Sequence, residues 1–454
     1  MDSKLQAIRA TNHFGLGGVA DEPKVIAGDP RGWLDAQLDR QQPTLAIDGS
    51  EERLRTMFDF ADRQKRTRAG QEKADRARFF RDTVRPLVAS DLERRLSVAV
   101  DTENPLLERL ALFWSNHFTV SHAGKRQLAV ACAAFENEAI RPNLAGHFRD
   151  LLFAAESHPA MLIYLDNHLS VGPNARLPRR RGRGLNENLA REILELHTVG
   201  VAGGYGQADV TALAKILTGW TVSAGMMPRR LVPGPAGEFR FVDALHEPGK
   251  HVVMGNRYAE DGLSQGRQAL ADLARHPATA RFVATKLVRH FVADDPPAEA
   301  VAVIEAVFLR SDGHLPTVHG ALVNLDAAWD PGNRKLRTPY EWVVAIGRGL
   351  SVPATARRGI GQRFLQMLDH VPFTAPSPAG WADTLAHWGS PGALKTRVEL
   401  AMRLGERLGN RVDARAAGRH MIAGDELLQA IARAESPGQG LGLLLAAPEF
   451  QWRA

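Results

Sequence analysis

The sequence predicts a mainly α protein, one large multi-helix domain over 1–454 with a small β-hairpin inserted at approximately 237–258. Three observations carry that prediction. Apolar residues recur every three to four positions through most of the chain, the period of an amphipathic helix. Asn-Pro at 104–105 and His-Pro at 158–159 and 276–277 each precede a helical pattern and put proline at a first helical position. One later stretch abandons that period for the alternation of a strand.

From the N-terminus, "SEERLRTMFDFADRQKRTR" and "ADRARFFRDTVRPLVASDLERRLSVAV" read as amphipathic helices. "NPLLERLALFWSNHFTVSHAG" follows, with Asn104 as N-cap, and "QLAVACAAFENEAIRPNL" is a helix that stops near Pro142. Further helices are expected at 210–219, 262–273, 278–293, 298–310, 316–327, 339–349, 391–407 and 424–433. His158 and His276 read as helix-start residues; the alternative is a functional histidine at a positive helix end. "GEFRFVDALHEPGKHVVMGNRY" alternates Phe239 and Phe241 with polar residues, turns at "HEPGK" and resumes at Val252, Val253 and Met254. That reads as a two-stranded ribbon. The Pro-rich "ADDPPAE" and "FTAPSPAGW" are too short to demand a domain boundary.

The composition, 44% hydrophobic and 24% charged, is ordinary for a globular protein. No run of about 18 apolar residues suggests a membrane span, and the first residues lack the apolar core of a secretory signal. A cytoplasmic location is the expectation, with export left open. The single cysteine, Cys132, excludes an intrachain disulfide and any Cys-rich metal site, and its apolar context points to a core role. A net charge of +6 is compatible with a polyanion partner. The one dense patch, "RLPRRRGRG" at 176–184, is a Pro/Gly loop with no aromatic residue for base stacking, so nucleic-acid binding by Arg176 to Arg183 ranks last.

Polar chemistry concentrates in "LNENLAREILELHTVGVAGGYGQADV", 185–210. Asn186 suits an N-cap, with Glu187 at the positive end of the helix. Stepping by 100° puts Leu189, Ala190, Ile193, Leu196 and His197 on one side and Glu187, Asn188, Arg191, Glu192 and Glu195 on the other. Arg191 has a glutamate four residues away in each direction, so the polar arc is either a solvated ion-pair face or the lining of a site. Gln207 and Asp209 follow a Gly-rich turn where such groups can converge. Phosphate-loop, dinucleotide, zinc-protease and nucleophile-elbow signatures are all missing. Elsewhere, His117 and Asn116 lie on an apolar helix, and Asp166 and Asn167 end another. His246, Glu247 and His251 surround the ribbon turn, either as surface histidines at a hairpin tip or as part of a metal ligand set.

"FWSNHF", "HPAMLIYLDN", the 185–210 segment, "HEPGKHVVMG", "HPATARFVATKLVRHFV" and "PSPAGW" occur in the order seen in a large bacterial family of uncharacterised proteins, the domain of unknown function 1800. The chain resembles that family over nearly its whole length. The resemblance implies a helical fold and draws attention to the polar residues of the shared motifs. It also implies a partner resembling alkaline phosphatases and sulfatases, encoded beside many relatives. Four positions depart from the family pattern: Ser115 replaces a histidine, Gly206 a threonine, and the ribbon turn carries Glu247 and His251 in place of an aspartate and a later lysine.

The resulting expectation is a metal-assisted enzyme. Glu187, Asn188, Arg191 and Glu192 are its candidate catalytic residues, and Asn167, Gln207 and Asp209 its candidate substrate contacts. His117, Asp166 and His246 would be ligands to a divalent metal ion. The alternative is a non-catalytic accessory or scaffold protein in which the same polar cluster is a structural hydrogen-bond network.

Overall fold

A computed structural model describes residues 3–453 apart from 43, 66–70, 178–183, 224–231, 354–358 and 423. Most of the arginine loop therefore lies outside the described residues. The fold is mainly α with small antiparallel strand pairs, as the periodicity predicts. The observed helices Gln207–Ile216, Leu263–Arg275, Pro277–Phe291, Ala298–Arg310, Pro339–Gly349, Pro391–Leu408 and Asp425–Ala432 lie within a few residues of expectation. The 316–327 helix divides into Leu315–Val323 and Asp326–Trp329. No helix among the described residues is long and apolar enough to cross a membrane.

The helix starts behave as local chemistry dictates. His158 Nδ1 accepts from the amide of Ala160, and His276 Nδ1 accepts from that of Ala278, both at 3.1 Å. Each histidine is thus an N-cap for an otherwise unsatisfied donor, ahead of a proline that needs none. Asn104 precedes Pro105–His117, but its side chain does not cap that helix; it accepts from Arg40 at 2.8 Å. Cys132 is buried in the core.

The β region differs from expectation. Phe239–Phe241 does not fold back on 251–254; it pairs with Trp220–Val222, while His251–Val253 pairs with Asn256–Tyr258. The cause is Trp220, fully buried and edge-on to Phe239 at 5.5 Å between rings: a strand just after a helix competes for the same partner.

Two large apolar cores organise the chain. One draws on residues from Ala7 to Trp329, the other on residues from Trp342 to Phe450, and Leu16, Ala99, Val100, Tyr340, Val344 and Leu365 form a smaller cluster. In the second core, Pro391–Leu408 crosses Pro437–Ala446 at backbone contact. A Cβ at Gly405 would collide with the Gly438 carbonyl and lie 2.7 Å from the Gly442 amide. The final strand, Trp452–Arg453, pairs antiparallel with Lys335–Leu336 just before the Pro339–Gly349 helix. That pairing brings the C-terminus beside the N-terminal residues Asn12 and His13.

Candidate functional site

The polar residues of 185–210 do fold together, but as a bracket between helices. Asn186 Oδ1 accepts from the amide of Asn188 at 2.9 Å, but Asn186 sits one residue before the N-cap position, which Glu187 occupies. Glu187 accepts from Thr211 Oγ1 at 2.7 Å and from Gln207 Nε2 at 2.8 Å, and it pairs with Arg191 at 3.4 Å. Arg191 in turn donates to Gln207 at 3.0 Å. The hydrogen bonds from Thr211 and Gln207 hold the Glu187 carboxyl below its ordinary value. Asp209 accepts from the amides of Gly206 (2.8 Å) and Met254 (2.7 Å), tying the helix start to the second strand pair. Asn188 is exposed. A π-turn over Ile193–His197 widens the helix, so Leu194 rather than Leu196 joins Leu189, Ala190, Ile193 and His197 in the core.

Glu192 stands apart. It is half-buried, and that burial raises its pKa, with Glu195 adding to the effect against His197 and Arg191. A raised carboxyl favours folding only while protonated, so this stability is lost as pH rises from the ordinary value of 4.5 through the folded value. Glu192→Gln is therefore expected to leave the melting temperature at pH 7 unchanged or slightly higher. Glu187→Ala should cost up to about 1 kcal/mol, the range of exposed ion pairs. Thermal melts of the two variants check both; a fall of several degrees in Glu192→Gln would mean that the residue anchors the fold.

The proposed metal ligands go to separate partners. Asp166, at φ 61°, pairs with Lys125 at 2.6 Å. His246 is buried, not at a hairpin tip, and its Nδ1 lies 2.9 Å from the Thr218 carbonyl. Glu247 accepts twice from Asn174, at 2.7 and 2.8 Å, fixing the loop after Val171. Asn167 donates to the carbonyls of Leu217 and Trp220, both at 3.1 Å. Among the described residues, no three His, Cys, Asp or Glu side chains are grouped so as to hold a metal. The reason is local: each group meets a nearer partner first.

His117 alone of the predicted site residues lines a cleft of about 340 Å³, within the range of small-molecule sites. Five segments build it, and Arg95 comes from one of them, the helix Arg85–Asp101. The end of Pro105–His117 contributes Asn116 and His117; Pro277–Phe291 contributes Lys286, Arg289 and His290; Thr338, Tyr340 and Glu341 come from a helix start; and 370–384 forms the outer wall. That wall is strapped on by its backbone. Asn116 donates to the Trp381 carbonyl at 2.9 Å and accepts from its amide at 2.8 Å. Ser121 Oγ donates to the Ala375 carbonyl at 2.7 Å. Gly380 has φ 81°, and a Cβ there would sit 2.5 Å from the Asn116 carbonyl, so only glycine suits this approach.

Inside the cleft, His290 Nδ1 lies 2.7 Å from Asp383 Oδ2. Burial pushes the His290 pKa below 6.5, against the pull of Asp383. Burial would raise Asp383, but His290 and Lys335 hold it well below the carboxylate range. The pair at neutral pH is accordingly a carboxylate accepting from the Nδ1–H of a neutral imidazole, since burial disfavours a further cation. His290 Nε2 is then unprotonated, buried and without a hydrogen-bond partner. His117 is similar: Nε2 meets the His197 carbonyl at 3.1 Å, while the buried Nδ1 has no partner. Its pKa is well below 6.5, from burial first and Lys286 second.

Lys286 is half-buried and lines the cleft. Among the described residues it has no hydrogen bond or ion pair, only the Phe282 ring at 5.6 Å. Burial lowers its pKa to about 8, with Asp383 opposing and Arg289 assisting.

Behind the cleft, Thr338 and Glu341 form a capping box: the Glu341 carboxylate accepts from the Thr338 amide at 2.8 Å while Thr338 Oγ1 accepts from the Glu341 amide. The same carboxylate pairs with Arg109 and Arg453, and Arg453 also donates to the His290 carbonyl at 2.7 Å. Arg337 and Arg397 extend this buried cluster, with Arg397 donating to the Arg337 carbonyl at 2.8 Å.

Sequence reasoning missed Lys286, Arg289, His290 and Asp383 as site residues. A signal existed: 286, 289 and 290 are spaced to share one face of a helix that is otherwise mostly apolar, and "PSPAGW" directly precedes Ala382 and Asp383.

A family profile described as protein of unknown function (DUF1800) matches residues 9–452. No curated protein and no solved structure matches the chain.

Proposed function

The chain belongs to the DUF1800 family of proteins of unknown function, and for it we propose an enzyme that uses His290 as general base in the cleft. One observation carries this: the Asp383–His290 pair leaves an unprotonated, unpartnered ring nitrogen in a residue that lines the cleft. Asp383 orients the ring and selects its tautomer; His290 Nε2 takes a proton from a bound substrate or water. Lys286, as an ammonium, stands beside the reacting group to stabilise negative charge that develops there.

The first test needs no substrate. Histidine ¹⁵N–¹H correlation spectra should show His290 neutral at pH 7 with its proton on Nδ1. A proton on Nε2, or a cationic ring at that pH, would overturn the reading. Once a turned-over substrate is found by screening ester, amide and phosphoester probes, His290→Gln should cut turnover about 10²–10⁴-fold while the fold persists. The pH profile should be a bell. The acid limb reflects His290, which works only above its lowered pKa; the alkaline limb reflects Lys286, which loses its charge near pH 8.

The metal-assisted reading of the 186–197 helix draws less support, because the Glu187 carboxylate is already engaged by Thr211, Gln207 and Arg191. Near-stoichiometric divalent metal in untagged protein, lost in a folded Glu192→Ala variant, would restore it. The scaffold reading is favoured by that same bracket, and it predicts that His290→Gln changes no activity in any screen.

A further inference from the structure

The charge around the cleft is out of balance. Lys286 and Arg289 line it, and neither has a carboxylate partner among the described residues; Arg289 reaches only the Asp294 carbonyl, at 3.3 Å. One layer behind stand Arg109, Arg337, Arg397 and Arg453, all essentially fully buried. Their shared acidic neighbour is Glu341. Asp383 and Asp294 also approach this region, and Lys335 lies between them. Buried cations therefore outnumber buried carboxylates, and some of their donors lack acceptors: Arg397 Nε and Nη2 are buried without a hydrogen-bond partner. Desolvation lowers the pKa of Arg109 and Arg397 to about 10 and of Arg337 to about 9, yet all three remain cationic at neutral pH.

Buried charge short of counter-ions is costly, and a protein that keeps it behind a cavity wall holds a ready-made field for the opposite sign. We infer that the cleft takes a small oxyanion, a phosphate, sulfate or carboxylate group, gripped by Lys286 and Arg289 in front of the buried arginine layer. This inference rests on the cleft being the functional site and adds the class of its ligand. In the same wall the unpartnered His117 Nδ1 and His290 Nε2 are acceptors, so they suit an O–H or N–H elsewhere on the ligand and not the oxyanion itself. An oxyanion held by Lys286 and Arg289 sets a negatively charged group beside the base, so the reacting bond belongs to a molecule that carries its own anionic handle.

The test is thermal melting and calorimetry of the full chain with inorganic phosphate, sulfate or malonate, each against chloride at equal ionic strength. At least one oxyanion should raise the melting temperature saturably, because a ligand that binds only the folded state stabilises it by mass action. A Lys286→Met/Arg289→Met variant should bind that anion on the order of tenfold or more weakly. Its own melting temperature without the anion should be unchanged or higher, since like-charge repulsion falls. Equal responses to all salts, or undiminished binding by the double variant, would overturn the inference. His290→Gln separates the two readings. Anion binding that survives in this variant, beside a lost turnover, supports both; absent anion binding with the His290 tautomer as described sinks only the ligand class.

Discussion

Glu341→Gln is expected to destabilise the protein by about 3–5 kcal/mol, the usual consequence of removing one partner of a buried ion pair. The substitution keeps the shape of the side chain and much of its capping role, so its effect isolates the charge. Without the carboxylate, Arg109 and Arg453 stand buried with no counter-ion in direct contact, and Arg337 and Arg397 lose their nearest negative neighbour. Urea unfolding monitored by circular dichroism provides the measurement: the midpoint should fall with little change in slope. A loss below about 1 kcal/mol would mean that water reaches these arginines. The pH dependence has a definite sign. Burial would raise the Glu341 pKa, but Arg453 and Arg109 depress it well below 4.5. Its contribution is therefore complete above the ordinary value and disappears only as pH falls through the depressed folded value.

Arg141→Met should cost a similar amount, about 3–5 kcal/mol, for the opposite reason. Arg141 donates to both oxygens of Glu108 at 2.7 Å and to Glu136 at 2.8 and 3.2 Å, all three side chains fully buried. Glu136 also accepts from Arg95 at 2.8 Å and from Ser115 at 2.9 Å. Removing Arg141 strands a carboxylate, whereas Glu108→Leu/Arg141→Met removes a pair and leaves Arg95 with Glu136. The double variant should recover much of the loss, as replacing a buried pair by apolar residues often does. A double-mutant cycle gives the coupling directly. If the double variant is less stable than Arg141→Met alone, Glu108 has another essential partner, with Gln42 at 3.3 Å the first to consider. Ser115 Oγ donates a hydrogen bond to this network and so helps fix the carboxylate that holds Arg95.

Local order was legible because its causes are local. The His-Pro dipeptides at 158 and 276 announce helix starts, and the structure shows each imidazole capping the second residue after it. The polar arc of 186–197 was also legible as a pattern, but its meaning was not. Glu187 and Arg191 are one turn apart, while Gln207 and Thr211, which turn their pairing into a bracket, arrive on the next helix. The candidate metal ligands part company at the same step. His117, Asp166 and His246 each meet a different carbonyl or ammonium, while His117 Nδ1 and His246 Nε2 stay buried without a partner.

By itself the sequence determined the helical class, the positions of most helices, the core role of Cys132 and the family. All four follow from periodicity, capping chemistry, burial tendency or linear motif order, which act over one segment at a time. Only the tertiary structure decided the strand partners, the joining of His290 to Asp383 across 93 residues, and the packing of four arginines around Glu341 behind the cleft. The physical reason is that a side chain's protonation and partners depend on what surrounds it in space. Burial of His290, Lys286 and Glu341 comes from segments that meet only after the chain has folded.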